Sequence, residues 1–153
     1  MSVDKNLAEL GYRLPDAPAP AANYVPYVVS GTTLYIAGQI PVKDGQRLTG
    51  RLSDDLDIEA GREAARQCAL AILAQVKAAV EGDWSRVVRC VKLGGFVNCT
   101  PAFGDQPAVI NGASDLIVAA LGERGKHARF AVGAPSLPFG VAVEIDAVFE
   151  IRE

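Results

Sequence analysis

The sequence predicts an α+β fold, a two-layer sandwich of a mixed β-sheet with two long helices on one face. Three observations carry this. Val141, Val143, Ile145, Ala147, Phe149 and Ile151 alternate with Ala142, Glu144, Asp146 and Glu150, a period of two that marks a strand. Ile58, Ala65, Ala69, Ile72, Val76 and Val80 recur at helical spacing, which marks a long amphipathic helix. The segments run strand, strand, helix, strand, helix, strand, strand, and two helices on one face of a mixed sheet bury both layers in one core. At 153 residues with half of them apolar, the chain is expected to form one domain over residues 1–153 with its own core.

In chain order, Leu7–Leu10 predicts a short helical turn stopped by Gly11 and Pro15. A Pro/Ala stretch, Asp16 to Ala22, then crosses the surface and completes an N-terminal arm, residues 1–22. Val25–Val29 and Thr33–Ile36, separated by Ser30-Gly31-Thr32, read as a hairpin. Asp44-Gly45 adds a second turn signal, because that dipeptide tolerates positive φ. Ser53 is expected to cap the first long helix, with Asp54, Asp55 and Asp57 near its positive end and Gly82 as its stop. Val87–Val97 reads as a strand, and Gly94-Gly95 inside it signals a bulge or a close backbone approach. Asp105 caps a second helix over Gln106–Leu121, with Pro107 in its first turn and Gly122 past its end.

The formal net charge of −3 excludes an extended nucleic-acid footprint, which needs clustered Lys and Arg; Lys126, His127 and Arg129 form the only basic knot. No apolar run is long enough to span a membrane, and the first residues lack a signal-peptide pattern, so the protein is expected to be cytoplasmic. Cys68, Cys90 and Cys99, three cysteines with one histidine, fit neither a disulfide framework nor a zinc site and read as core thiols. No metal or cofactor is expected. Strands such as Tyr35–Ile40 and Val141–Ile151 carry apolar residues on both sides, which predicts a partner subunit over the second face of the sheet.

The candidate chemistry lies in Arg129 to Val148. Arg129 carries a charge that no ordinary pH removes. Glu144 is a carboxylate on a strand with apolar flanks, either on a wet face or desolvated in a cleft and so tuned for proton transfer. If the turn between them folds their strands together, the two groups meet and could hold a small carboxylate beside a proton carrier. Asn111 lies in the first half of the second helix and points outward or makes a tertiary bond. Tyr24 and Tyr27 open the first strand as rings with a wet hydroxyl. A Cys99–His127 thiol–base pair carries little weight beside these.

With these motifs in place the chain, from about Tyr24 to Glu150, resembles the RidA/YjgF family of enamine/imine deaminases. Arg129, then Leu137-Pro138, then Val143-Glu144-Ile-Asp-Ala is similar to the family's Arg, Leu-Pro turn and Val-Glu-Ile-Glu-Ala strand. Ile36-Ala37-Gly38-Gln39-Ile40-Pro41 resembles its Ser-Gly-Gln-Ile-Pro segment, Tyr24 lies where its cleft tyrosine would be, and Asn111 matches its helix asparagine. The Leu-Gly…Leu-Pro start and Gly-Ala-Ser-Asp in the second helix resemble a longer branch. Two residues depart from the pattern: Ala37 replaces a serine and Ala131 a cysteine.

The resemblance implies a chorismate-mutase-like fold in a trimeric barrel, with a cleft between each pair of subunits. It implies that Arg129 holds the carboxylate of a 2-imino or 2-enamino acid and that Glu144 activates a water and returns a proton to the departing ammonia. Gly38 and Ala131 would offer backbone groups and Tyr24 and Asn111 would shape the pocket, giving a 2-oxo acid without a cofactor. The alternative is a binding or sensing protein of the same shape, holding a small carboxylate without turnover. An RNA-cleaving or translation-inhibiting activity, attached to some relatives, is disfavoured by the acidic charge.

Overall fold

The computed structural model describes residues 2–17 and 23–153. Residues 18–22 of the expected arm lie outside the described residues. Helix α1 (Val3–Glu9) is longer than the expected turn, because Ser2 Oγ accepts from Lys5 N and caps it. The Asp4 carboxylate then ties α1 to the body, accepting from Lys77 Nζ at 2.9 Å and Trp84 Nε1 at 3.0 Å.

Strands β1 (Tyr27–Ser30) and β2 (Thr33–Gln39) form the expected hairpin. Asp44-Gly45 closes a second one between β3 (Val42–Lys43) and β4 (Gln46–Arg47), with φ of 53° and 77° at the two turn residues. Helix α2 (Ile58–Ala79) is capped not by Ser53 but by Asp57, whose side chain accepts from Ala60 N at 2.8 Å. Ser53 instead sits at φ 67° in the loop before the helix, where Asp55 Oδ1 accepts from Arg51 N. Four cap-type residues stand in this stretch, and only Asp57 is adjacent to the first helical residue.

Strand β5 (Val87–Asn98), helix α3 (Gln106–Leu121), strand β6 (Ala128–Ala134) and strand β7 (Val143–Ile151) complete the chain. The main sheet has the order β1-β2-β7-β5-β6. Only β5 and β6 run parallel, with α3 as their crossover, so the sheet is mixed. Here the structure corrects the sequence reading: β6 and β7 do not fold together, because β5 lies between them. Gly94-Gly95 marks a close approach rather than a bulge, since a Cβ at Gly94 would strike Asp146 and Phe130 and one at Gly95 would strike Ile110. The irregularities in β5 fall earlier, between Val87 and Arg89 and between Cys90 and Lys92.

Both long helices lie on one face of the sheet. Val143, Ile145, Ala147, Phe149 and Ile151 of β7 are buried beneath them with Ile72, Val76, Ile110 and Ile117. The helices approach closely where Gly112 meets the Arg62 carbonyl, a place where any Cβ would collide. The opposite face is open, and Val28, Tyr35, Phe96 and Val132 are exposed on it. No helix among the described residues is long and apolar enough to cross a membrane.

Candidate functional site

Glu144 stands on the central strand, opposite Phe96 of β5, and points to the open face. Its neighbours Val143 and Ile145 point into the core. A register shift between Ile36 and Gln39 brings Gly38 of β2 against it, so that a Cβ at Gly38 would lie 2.5 Å from Glu144 Oε1. The bare backbone at Gly38 is therefore a requirement of the carboxylate's position. Glu144 is half-buried, and its carboxyl is pushed above the usual carboxylate range, first by burial and then by the Asp146 charge nearby. A carboxyl that holds its proton more tightly than usual suits a group that takes and returns one.

Arg129 is built differently. It pairs with Leu93 on the edge strand β6 and so points to the helix side. Its Nη1 donates to Ser114 Oγ at 3.0 Å and its Nη2 to the Pro107 carbonyl at 3.4 Å. Pro107, Asn111 and Ser114 are spaced four and three residues apart on α3, so Asn111 shares the helix face that receives the guanidinium. Ala131 follows two residues along β6 on the same side. Ser114 is a contact the sequence reading missed, and it joins a polar chain: His127 Nε2 lies 2.9 Å from Ser114 Oγ, and His127 Nδ1 lies 2.6 Å from the Gly125 carbonyl. A carbonyl only accepts, so Nδ1 carries a proton; in the neutral ring Nε2 then accepts from the serine, whose oxygen accepts from Arg129.

The candidates thus fall into two groups. Register places Arg129 with Leu93 and Ala147, and Glu144 with Phe96 and Val132. The two side chains leave opposite faces of the sheet, from strands about 10 Å apart. They do not meet within one chain. Tyr24 and Gly38 line a cavity of about 620 Å³ at the end of β2, bounded by Ile40, Gln75, Arg47 and Phe139. Tyr24 is 60% exposed there. Phe139 is 66% exposed and sits at φ 59°, ψ 13°, a left-handed conformation that costs a non-glycine residue about 1–2 kcal/mol. The Arg47 Cζ lies over its ring, 3.9 Å from the centroid.

Cys68, Cys90 and Cys99 are free and buried. Burial pushes the Cys68 thiol well up, with the Glu144 charge adding to it, and the Cys90 thiol up to about 12. Cys68 and Cys90 are therefore core thiols. Cys99 Sγ accepts from Gln106 while His127 binds Ser114 and Gly125, so the thiol–base pair does not form. Among the described residues no cluster of three His, Cys, Asp or Glu side chains could hold a metal ion.

A mixed sheet with both long helices on one face defines an α+β protein of the chorismate-mutase-like class. Residues 4–150 match the family described as "YjgF/chorismate mutase-like, putative endoribonuclease". The chain is 52% identical over 152 residues to protein TCP17 of Trypanosoma cruzi, covering 98% of this chain and 94% of that protein. It is also similar to the crystal structure of Atu1372 from Agrobacterium tumefaciens, a protein of unknown function, with TM-score 0.93, 51% identity, and 98% and 92% of the two chains covered. A Shewanella oneidensis protein described as a putative endoribonuclease gives TM-score 0.93 at 30% identity, with 99% and 100% covered. The chain belongs to the RidA/YjgF family.

Proposed function

We propose that this protein hydrolyses 2-imino and 2-enamino acids to 2-oxo acids and ammonia, in clefts that each take one group of residues from one subunit and the second from its neighbour. Glu144, Gly38 and Tyr24 come from one copy, and Arg129, Asn111 and Ala131 from the next. The observation that supports this best is the separation itself: a cation and a proton carrier, each held in place, sit on opposite faces of one chain. A homotrimer would bring them together and cover the exposed Val28, Tyr35, Phe96 and Val132.

Arg129 binds the substrate carboxylate through two charge-assisted bonds. The N–H of Gly38 and the backbone of Ala131 orient the rest, while Tyr24 and Asn111 shape the walls. Glu144, as carboxylate, takes a proton from water as the water oxygen adds to the C=N carbon, and passes that proton to the nitrogen to give a carbinolamine. It then takes the carbinol O–H proton and hands it to the nitrogen, so that the C–N bond breaks, ammonia leaves, the carbinol oxygen becomes the carbonyl and Glu144 is again a carboxylate. Water is the only co-reactant, and no oxidation state changes. The three buried thiols suit a reducing cytoplasm.

The test generates imines with an amino-acid oxidase and measures 2-oxo acid release against trapping by semicarbazide. Faster release with the protein, abolished by Arg129→Ala, supports the reading; release that survives the substitution removes Arg129 from it. A second reading, carboxylate binding without turnover, draws on Ala37 and Ala131, where two polar side chains of the family pattern are missing. Tight binding of 2-oxobutyrate with no acceleration of any imine would favour it.

A further inference from the structure

The cavity beside Gly38 has a rim that the cleft chemistry does not use. Arg47 and Phe139 come from distant parts of the chain and are brought together by backbone bonds from Ala142 N to Leu48 O and from Gly50 N to Gly140 O, both 3.0 Å. Phe139 is exposed in a left-handed backbone conformation. Neither core packing nor turn geometry favours a large aromatic there, and strain of this kind points to a role. The Arg47 Cζ lies 3.9 Å from the centroid of the Phe139 ring, a cation–π contact that holds the guanidinium at the rim. A guanidinium held there has N–H groups that suit a carboxylate. Asp16 and Asp44 also line the cavity, yet Arg47 forms no ion pair among the described residues.

We propose that Arg47, backed by Phe139, receives the distal carboxylate of the substrate, so that 2-imino dicarboxylic acids are the preferred class. The proposal rests on the deaminase reading for its reaction, with the first carboxylate on Arg129 of the neighbouring copy. A cavity of about 620 Å³ has room for a short dicarboxylate. Arg47 is a specificity residue here, and Phe139 positions it.

The experiment compares oxidase-generated imines of glutamate and aspartate with those of leucine, alanine and lysine, for the wild type, Arg47→Ala, Arg47→Lys and Phe139→Ala. The wild type is expected to favour the dicarboxylic imines. Arg47→Ala should lower kcat/KM for them about ten- to hundredfold, as expected for a lost hydrogen-bonded charge, and change the leucine and alanine imines by no more than about twofold. Arg47→Lys should recover part of the loss. In parallel, calorimetry should show 2-oxoglutarate binding more tightly than 2-oxobutyrate, with the difference gone in Arg47→Ala. Unchanged selectivity in Arg47→Ala overturns the proposal, and so does a preference for the lysine imine, which would assign the rim to Asp44. If no imine is turned over at all, the deaminase reading fails, and calorimetry still decides: equal affinities for the two 2-oxo acids overturn the role of Arg47.

Discussion

Glu144 sits on the middle strand of the sheet, against backbone that has no side chain to spare, whereas Arg129 sits on an edge strand and is held by one turn-spaced face of a helix. Each placement suits the role proposed for its group. A proton carrier gains from being desolvated, and a central strand with apolar flanks raises its affinity for the proton. An arginine keeps its charge wherever it is, so it needs orientation and access instead, and an edge strand supplies both. In the proposed cleft neither half acts alone, because Arg129 and Glu144 leave opposite faces of the sheet and do not meet within one chain.

Breaking the Arg129 half should have the largest effect. Arg129→Ala removes two charge-assisted bonds to substrate and is expected to cut kcat/KM about a thousandfold in the imine assay, with Arg129→Lys intermediate because a point charge cannot bind in two places. Glu144→Gln should lower turnover by about a hundredfold or more, the usual contribution of a positioned base, while leaving carboxylate binding nearly unchanged.

The same variant reads the electrostatics. Because the folded state raises the Glu144 pKa above its ordinary 4.5, the native protein holds that proton more tightly than the unfolded chain. Wild-type stability therefore declines as pH rises from the ordinary value through the raised one and is level above it. Thermal melts should show Glu144→Gln gaining on the wild type as pH rises from the ordinary value of 4.5 through the raised one. A wild type that gains on the variant over this range would show that the carboxylate is stabilised as an anion. The acid limb of the wild-type kcat/KM profile should also lie above the ordinary carboxylate range.

Gly38→Ala puts a methyl group at 2.5 Å from Glu144 Oε1. The side chain must move, and activity is expected to fall about tenfold with little change in melting temperature, since a small displacement of a catalytic group costs rate before stability. The smallest effect belongs to the support of the cation. Ser114→Ala removes one bond to Arg129 and is expected to raise KM several-fold with kcat held, the loss of about one hydrogen bond.

The layering and both long helices were legible because periodicity reports which face of an element is buried, and Asp44-Gly45 and Gly122 marked turns that only certain residues permit. Strand order was not. Arg129 and Glu144 lie near each other in sequence, and nothing local says that β5 passes between their strands, since that follows from the crossover through α3. Ser53 misled because it is as good a cap as Asp57, and the choice was made by the loop before the helix. Among the candidate site residues, Arg129, Glu144, Asn111 and Tyr24 stood out from charge and pattern, the resemblance added Gly38 and Ala131, and the structure divided Arg129 from Glu144. Ser114 was hidden inside a helix where a serine has no distinctive spacing. Arg47 and Phe139 carried no signal either, one on a two-residue strand and the other in a turn.

The division of the cleft between two copies can be tested by mixing. Arg129→Ala and Glu144→Gln, each inactive alone, are unfolded together in equal amounts and refolded. In a cyclic assembly with one cleft per seam, random mixing leaves about a quarter of the clefts with an intact arginine from one chain and an intact glutamate from the other. The expected result is recovery of about a quarter of wild-type imine hydrolysis. Mixed assemblies that form and remain as inactive as either parent would contradict it.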